Sequence, residues 1–251
     1  MNDLEKLLTK KRVALVGPSP HLVGKRLGKK IDSFDIIIRV NEILSTQNKI
    51  DFGSRTDAVF VNLNNDYLET FKKMLDQNEE EVRNVKLFIS PRNSLHVSSE
   101  NRIRMEENEN IFNNSVKLGI SSRFFHIGDE KNNLLENKVG TYPSTGLLAL
   151  MILEELKIDE LFICGFSFYS TSKMYNPERT RLYKQNGHRL DGFGGHDIIS
   201  EIKYLQNHFP QNSKIEVDFI FNLLIYKKIP YRVIKYLNNL RDYFHNIRKS
   251  E

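Results

Sequence analysis

Residues 142–166 read YPSTGLLALMILEELKIDELFICGF, and this stretch decides the fold that the sequence predicts. Residues 142–146 are typical of a loop that turns into a helix, because Pro143 and Ser144 favour helix entry. The apolar run after them predicts a helix over 146–156, and residues 160–165 predict a strand that ends in a glycine turn. A turn, a helix and a strand in this order indicate one repeat of a parallel α/β sheet.

A second unit of the same kind lies near the N-terminus. Arg12–Val16 predicts a short buried strand, and Gly17-Pro18-Ser19-Pro20 follows it as a turn. Backbone N–H groups in a first helical turn, with Ser and Thr hydroxyls beside them, form a site for an anion. The two turns together indicate a pocket for a phosphorylated ligand. Taken alone, Ser144-Thr145-Gly146 is more typical of an ordinary capped helix start.

The rest of the chain alternates predicted strands with predicted helices. Strands are expected at 34–40, 57–63, 85–90 and 124–127, and helices at 22–30, 66–78, 98–105 and 196–208. This alternation predicts a single doubly wound, mostly parallel α/β sheet with helices on both faces and a ligand beyond the carboxyl ends of the strands. Residues 166–195 lack periodicity and are long for a connection, so we expect a lid, a binding loop or disorder there.

The composition is that of a folded protein without disulfides. The chain has 251 residues, of which 39% are hydrophobic and 27% charged, and this suits one α/β domain. The single cysteine, Cys164, excludes an internal disulfide and a thiolate zinc cluster, and its apolar strand predicts a buried, inert thiol. The N-terminus lacks an apolar signal region and no run of about 18 apolar residues occurs, so we expect a cytoplasmic protein.

The net charge of +5 is concentrated in the C-terminal tail. Residues 226–251 contain seven Lys or Arg and two acids, which leaves a neutral body and argues against a nucleic-acid-binding core. Apolar residues recur in the tail at helical spacing, at positions 233, 234, 237, 240, 244 and 247. This basic amphipathic helix either lies on an anionic membrane surface or packs on its own domain or a second copy.

The common phosphate-binding motifs are absent, but three segments resemble a different family. A Walker loop needs a glycine where Leu22 stands, and the dinucleotide fingerprint needs glycines at 19 and 22. Residues 13–19, 31–35, 39–41 and 52–56 are similar to the long sialyl motif of glycosyltransferase family 29. Residues 142–166 resemble its short motif, and His196 with Glu201 resembles its very short motif. All three occur in the order of the family and close to its spacing.

The resemblance implies a sialyltransferase-like enzyme on a modified nucleotide-binding fold of the GT-A or Rossmann-like kind. Such an enzyme moves a sugar acid from a CMP-linked donor to a glycan or glycolipid hydroxyl and inverts the anomeric centre, without a metal ion or another cofactor. Sialic acid, Kdo and related nonulosonic acids all travel as CMP conjugates, so the sugar stays open. The catalytic domain would span residues 1–225, and the basic helix residues 226–251.

The resemblance, together with the places of polar residues after predicted strands, gives the candidate site residues. His196 matches the catalytic base, and His188 is preferred to Tyr175 and Tyr183 as the group that faces the phosphate. The donor-binding set consists of turn glycines, hydroxyls and amides near predicted strand ends: Gly17, Ser19, Asn41, Asn62, Asn64, Ser144, Thr145, Gly146, Gly165, Phe166 and Ser167. Pro18 stands where vertebrate members carry an asparagine, so that donor contact is lost or comes from Ser19 or a later residue.

The residue types agree with these roles but leave alternatives. A sugar hydroxyl is a poor nucleophile, and histidine accepts a proton near neutral pH. The alternative for His196 is a helix N-terminal residue in water, and for Asn41 a turn residue that bonds its own backbone. Glu201 suits a structural or solvated role as well as a catalytic one, and His21 lacks supporting context. Arg39 and Arg55 are predicted to hold the sheet edge and its loops through hydrogen bonds, and Asp32 is predicted to be a structural cap rather than a catalyst.

Two other classes of function remain open from the sequence. One is a catalytically inactive nucleotide-binding module that kept the fold. The other is an adaptor that acts on nucleic acid or a membrane through the tail alone. A CMP-sugar-dependent transferase explains the three motifs together, so it is the first hypothesis.

Overall fold

The structure is a computed structural model that describes residues 2–41, 48–61, 79–91, 124–170 and 196–250. Its strands are β1 (Arg12–Val16), β2 (Ile36–Val40), β3 (Ala58–Phe60), β4 (Leu87–Ser90), β5 (Phe124–His126), β6 (Glu160–Cys164) and β7 (Ile215–Val217). Its α-helices are α1 (Asp3–Leu8), α2 (Gly28–Asp32), α3 (Lys49–Phe52), α4 (Glu79–Asn84), α5 (Asp129–Val139), α6 (Thr145–Glu154), α7 (Ile198–His208), α8 (Phe219–Phe221) and α9 (Tyr231–Ser250). A 3₁₀ turn (Pro20–Leu22) and a π-helical turn (Asn222–Tyr226) complete the described elements.

The strands in the described ranges form one seven-stranded sheet with the order β5-β4-β3-β2-β1-β6-β7. Every neighbouring pair is parallel. The chain moves outward from β1 to β5 and then crosses back to β6 on the other side of β1. The strand order therefore reverses between β1 and β6. In open α/β sheets this topological switch point opens a crevice at the carboxyl ends of the strands, where ligands bind.

Apolar residues cover both faces of the sheet. Val13 and Leu15 of β1 belong to one core with α6, whereas Ala14 and Val16 belong to a second core on the opposite face, with Leu22 and residues of α2 and α3. A parallel strand buried on both sides needs apolar residues at successive positions, and this explains the continuous apolar runs of the sequence. The predicted doubly wound α/β fold is confirmed.

Several polar residues of the long-motif segment hold the frame around this sheet. The buried Arg39 donates to Thr56 Oγ1 at 2.8 Å and to the carbonyls of Phe52 and Arg55 at 2.9 and 2.8 Å. Asp32 accepts hydrogen bonds from the amide and hydroxyl of Ser54. Arg55 donates to the Phe34 carbonyl at 2.7 Å. The predicted structural roles of these three side chains are confirmed, so a large part of the motif serves the architecture.

The predicted helix over 22–30 is wrong. Gly24 and Arg26 have φ values of +79° and +54°, which break a right-handed helix between the 3₁₀ turn and α2. The helix α5 and the short strand β7 were not predicted, because α5 is polar and β7 has only three residues. The helices predicted at 66–78 and 98–105, and the loop beyond residue 170, lie outside the described residues.

The tail helix begins at Tyr231, and its first half packs on the body of the protein. Ile234 and Asn238 are buried, and Asn238 Nδ2 donates to Ser170 Oγ at 2.8 Å. The exposed apolar side chains of this half are Val233, Tyr236 and Leu237. The division at residue 225 stays a prediction. Among the described helices, none is long and apolar enough to cross a membrane.

Candidate functional site

Two glycine turns meet back to back at the switch point, and we call residues 17–19 and 165–167 the turn pair. Gly17 follows β1 and Gly165 follows β6, and the Gly17 N–H donates to Cys164 O at 2.8 Å. A Cβ atom on Gly17 would lie 2.4 Å from Gly165 O, and one on Gly165 would lie 2.4 Å from Gly17 O. Only glycine therefore allows the two turns to approach so closely at the crevice.

The start of α6 forms the next wall of the crevice. We call residues 142–146, with His196 and Glu201, the helix-start cluster. A helix that leads into a parallel strand must begin at the carboxyl edge of the sheet, and α6 leads into β6. Gly146 packs against the ring of Phe166, because a Cβ at 146 would lie 3.0 Å from Phe166 Cε1. The helix start therefore contacts the turn pair directly.

Glu201 holds the N-cap residue of α6. Its carboxylate accepts the Ser144 amide at 2.5 Å and the Ser144 hydroxyl at 2.8 Å, and Glu201 is 0% exposed. The Ser144 oxygen in turn accepts the Leu147 amide at 3.2 Å, which caps the helix. The hydroxyl hydrogen of Ser144 is thus committed to Glu201. Of the roles left open for Glu201, the structure shows the structural one.

His196 lies just before α7, the helix that leads into β7, and so at the same edge of the sheet. Its Nδ1 is 2.9 Å from the carbonyl oxygen of Tyr142, and the two rings stack with centroids 5.6 Å apart. A carbonyl oxygen only accepts hydrogen bonds, so Nδ1 carries the hydrogen. In the neutral ring the lone pair is therefore on Nε2, which is the form that a general base requires.

Asp197 is the N-cap residue of α7 and adds negative charge beside His196. Its carboxylate accepts the hydroxyl of Ser200 at 2.7 Å and the amides of Ile199 and Ser200 at 3.1 Å. The hydroxyl and amide of Ser200 lower the pKa of Asp197, so it stays ionised. This N-cap fixes the backbone that carries His196.

A buried chain of hydrogen bonds that the sequence reading missed runs behind the turn pair. Ser19 Oγ lies 2.8 Å from His21 Nδ1, and His21 Nε2 lies 2.8 Å from Asp218 Oδ2. Asp218 follows β7 and also accepts the Gly165 amide at 2.7 Å. His21 lacked context because Asp218 is 197 residues away. The Ser-x-His spacing inside a proline-rich turn was the one local sign.

The remaining predicted residues fall into two groups. Asn41 follows β2 with φ +59°, a left-handed conformation that asparagine tolerates. Its backbone N–H donates to Phe60 O at 2.7 Å. Thr145, Phe166 and Ser167 are buried around the contact between α6 and the turn pair. The other predicted site residues lie outside the described residues: Asn62, Asn64, Tyr175, Tyr183 and His188.

The buried thiol of Cys164 is not a nucleophile. Burial, and then the charge of Asp218, raise the pKa of Cys164 well above its usual value, so the thiol stays protonated. The prediction of a buried thiol is confirmed. Within the described ranges, no group of three or more His, Cys, Asp or Glu side chains could hold a metal ion.

The chain is similar to known proteins in its fold and in its sequence profile. The fold is similar to a crystal structure of a mammalian sialyltransferase, at 20% identity and a TM-score of 0.52 over 85% of this chain and 70% of that chain. A mammalian sialyltransferase in complex with Gal-beta-1-3GalNAc-ortho-nitrophenol aligns at 19% identity and a TM-score of 0.48 over 85% and 71% of the two chains. No curated protein sequence matches significantly. The profile described as glycosyltransferase family 29 (sialyltransferase) matches residues 5–209, and the chain therefore belongs to this family.

Proposed function

We propose that this glycosyltransferase is a metal-independent, inverting enzyme that moves sialic acid, Kdo or a related sugar acid from a CMP-linked donor to a glycan or glycolipid hydroxyl. Family membership supports the transfer of a sialic acid, and the switch-point crevice supports a nucleotide site. The observation that carries the mechanism is the bond between His196 Nδ1 and the Tyr142 carbonyl, because it leaves Nε2 as the basic nitrogen.

The donor phosphate would lie between the start of α6 and the turn pair. The first intrahelical bond of α6 joins the Leu148 amide to Ser144 O, so the amides of Thr145 and Gly146 precede it. A helix N-terminus carries roughly half a positive charge. Negative charge grows on the phosphate as its bond to the sugar breaks, and donors already in position stabilise that charge without reorganisation. These groups would act where other enzymes use a metal ion.

His196 would be the general base of a single displacement. Its Nε2 takes the proton of the acceptor hydroxyl while the hydroxyl oxygen bonds to the anomeric carbon of the sugar acid. The bond from that carbon to the phosphate oxygen breaks, and its electron pair leaves with CMP. The acceptor attacks from the side opposite CMP, so the anomeric configuration inverts. A positioned base of this kind contributes typically 10²–10⁴-fold to the rate.

The first test is donor turnover by the purified protein. CMP release is measured with CMP-sialic acid, CMP-Kdo and other CMP-linked nonulosonic acids, and calorimetry with CMP and CDP measures binding. We expect CMP to bind and one CMP-sugar to be hydrolysed slowly without an acceptor, in the presence of a chelator. Binding of CMP without turnover of any donor would contradict the proposal and indicate an inactive nucleotide-binding module.

We further propose a cytoplasmic protein that contacts an anionic membrane surface through α9. Support comes from the exposed apolar residues of this helix, which stand beside the basic residues Arg232 and Lys235. Such contact would bring the enzyme to glycolipid acceptors. Sedimentation with phosphatidylglycerol vesicles should be weaker for the variant R232E/K235E than for wild type. Equal sedimentation of the two proteins would remove the membrane role and leave α9 as a packed helix.

A further inference from the structure

The hydrogen-bond chain Ser19–His21–Asp218 has a histidine in the middle. Each ring nitrogen of a histidine can donate or accept a hydrogen bond, depending on where the ring carries hydrogen. Its three side chains are buried, with His21 only 2% exposed. Ser19 belongs to the turn pair, and the other end of the chain, Asp218, holds the second turn through the Gly165 amide. The chain therefore links both glycine turns to a single imidazole.

Asp218 determines which nitrogen of His21 carries hydrogen. Its Oδ2 accepts the Gly165 amide at 2.7 Å and its Oδ1 accepts the Phe221 amide at 2.9 Å. An ionised carboxylate only accepts hydrogen bonds, so His21 Nε2 must donate to Oδ2 across the 2.8 Å contact. In the neutral ring, Nδ1 is then an acceptor and takes the hydroxyl hydrogen of Ser19 at 2.8 Å. Ser19 has no hydrogen left for a ligand.

Protonation of His21 reverses the direction of this last bond. Both ring nitrogens of imidazolium donate, so Nδ1–H would donate to Ser19 Oγ. The hydroxyl hydrogen of Ser19 then becomes available to an anion at the turn pair. An anion there would also be attracted to the new positive charge. A bound phosphate therefore favours the protonated chain, and by linkage protonation favours the bound phosphate.

We propose that His21 is a positioning residue, and that it takes up a proton when the phosphate of the donor binds at the turn pair. The inference rests on the proposed function, since it requires a nucleotide phosphate at this turn. It would also explain how the site manages without an asparagine at position 18. When His21 is protonated, the hydroxyl of Ser19 can donate a hydrogen bond to the phosphate next to Pro18. Contact with the phosphate would come from Ser19, and His21 would act through it.

Charged groups from several elements of the fold lie around His21. Asp218 faces it from the segment after β7, and the neutral thiol of Cys164 lies on β6 nearby. His21 and Asp218 also line a cavity of about 420 Å³, whose charged lining residues are Lys25, Lys30 and Glu216. Lys30 and Glu216 form an ion pair with each other. The carboxylate in direct contact with the His21 ring is thus that of Asp218.

The test measures the pH dependence of ligand binding with a probe of constant charge. CMP itself is unsuitable, because its second phosphate ionisation has a pKa of about 6. The methyl ester of CMP has one fixed negative charge over the range from about pH 5.5 to 8. We expect its affinity to rise about tenfold as the pH falls across this range, as one charge-assisted hydrogen bond allows. Calorimetry in buffers of different ionisation enthalpy should show proton uptake at the upper end.

Matched variants assign the proton. At low pH, both Ser19→Ala and His21→Gln should bind the probe more weakly than wild type. His21→Gln should show a flat pH profile, and Ser19→Ala a flatter profile than wild type, because only the attraction to a charged His21 remains in it. The exposed His208→Gln should keep the wild-type profile. Any contribution of His196 would be the same in Ser19→Ala as in wild type, so an unchanged profile in Ser19→Ala overturns the inference. Ser19→Ala keeps the test open if His21→Gln does not fold.

The two levels of proposal fail in different ways. If neither CMP nor its methyl ester binds wild-type protein at any pH, the nucleotide site itself is wrong. If both bind, but the methyl ester does so with a flat pH profile and no proton uptake, only the role of His21 is overturned. Nitrogen NMR of the free protein above pH 8 should show His21 in the Nε2–H form, and the Nδ1–H form would also overturn it.

Discussion

The turn pair and the helix-start cluster each place a serine hydroxyl at the same crevice, but the two hydroxyls have different partners. Ser144 donates to the carboxylate of Glu201, which has no hydrogen to return. Ser19 meets the imidazole of His21, which accepts when neutral and donates when protonated. One hydroxyl is therefore fixed in direction, whereas the direction of the other depends on a proton.

The two serines therefore have different roles: Ser144 holds a fixed backbone, whereas Ser19 has a hydroxyl hydrogen that can change its partner. In the helix-start cluster, Glu201 and Ser144 fix the beginning of α6. In the turn pair, the glycines fix the backbone and Ser19 provides a side chain whose hydrogen can move. The same residue type in two similar turns thus has two roles, and its partner determines which one.

The largest effect is expected where the turn pair is broken. Gly165→Ala places a Cβ 2.4 Å from the backbone oxygen of Gly17 at a φ of +80°, so the backbone must move. We expect a loss of about 4 kcal/mol in the free energy of unfolding, measured by urea titration. Gly140→Ala is the matched control, because φ is +75° there and nothing lies within 4 Å of the new Cβ. Its loss should be about 1 kcal/mol, and equal losses would contradict the close contact.

A smaller effect is expected when the fixed hydroxyl loses its carboxylate. Glu201→Gln keeps the size of the side chain but replaces one acceptor oxygen with a donor that faces the donors of Ser144. We expect a loss of about 2 kcal/mol in unfolding free energy, as for a hydrogen bond to a charged group. The control is Glu155→Gln, whose partners Lys131 and Lys138 lie at the surface. Its loss should stay below about 0.5 kcal/mol, and a Glu201 variant as stable as this control would show that the cap is unimportant.

The smallest effect compares the two hydroxyls directly. Ser144→Ala removes a helix cap and should cost about 1 kcal/mol of unfolding free energy at every pH between about 5.5 and 8. Ser19→Ala should cost about the same, since it removes the hydrogen bond to His21. Unfolding of both variants by urea measures these losses, and binding of the CMP methyl ester over the same pH range compares their pH profiles. Ser19→Ala should reduce the pH dependence of binding and Ser144→Ala should keep it, so parallel profiles for the two variants would contradict the contrast between the clusters.

Much of the fold and part of the site follow from local sequence. Long apolar runs predict buried parallel strands, and the glycines at 17 and 165 predict the turns that follow them, because both signals are confined to a few neighbouring residues. The helix predicted over 22–30 was wrong because a distant residue decides the backbone conformation there. Its apolar and basic residues suit a helix, but the left-handed Gly24 and Arg26 depend on Asp51, which accepts both of their amides.

The connections between distant segments could not be predicted. His21 and Asp218 are brought together only when β7 pairs with β6, and β7 is too short to give a clear pattern. The sequence left a catalytic, a structural and a solvated role open for Glu201, but the phase of α7 turns it inward with Ile202 and Leu205. A polar residue on the buried face of a helix is informative only once the helix phase is known.

The most direct test of the central claim measures transfer and CMP affinity in parallel for His196→Ala, with His208→Ala as the matched histidine control. If His196 Nε2 is the base, His196→Ala should bind CMP as wild type does, while transfer to the acceptor falls by about 10²–10⁴-fold. His208→Ala should keep both properties. Undiminished transfer by His196→Ala, with CMP still bound, would contradict the mechanism.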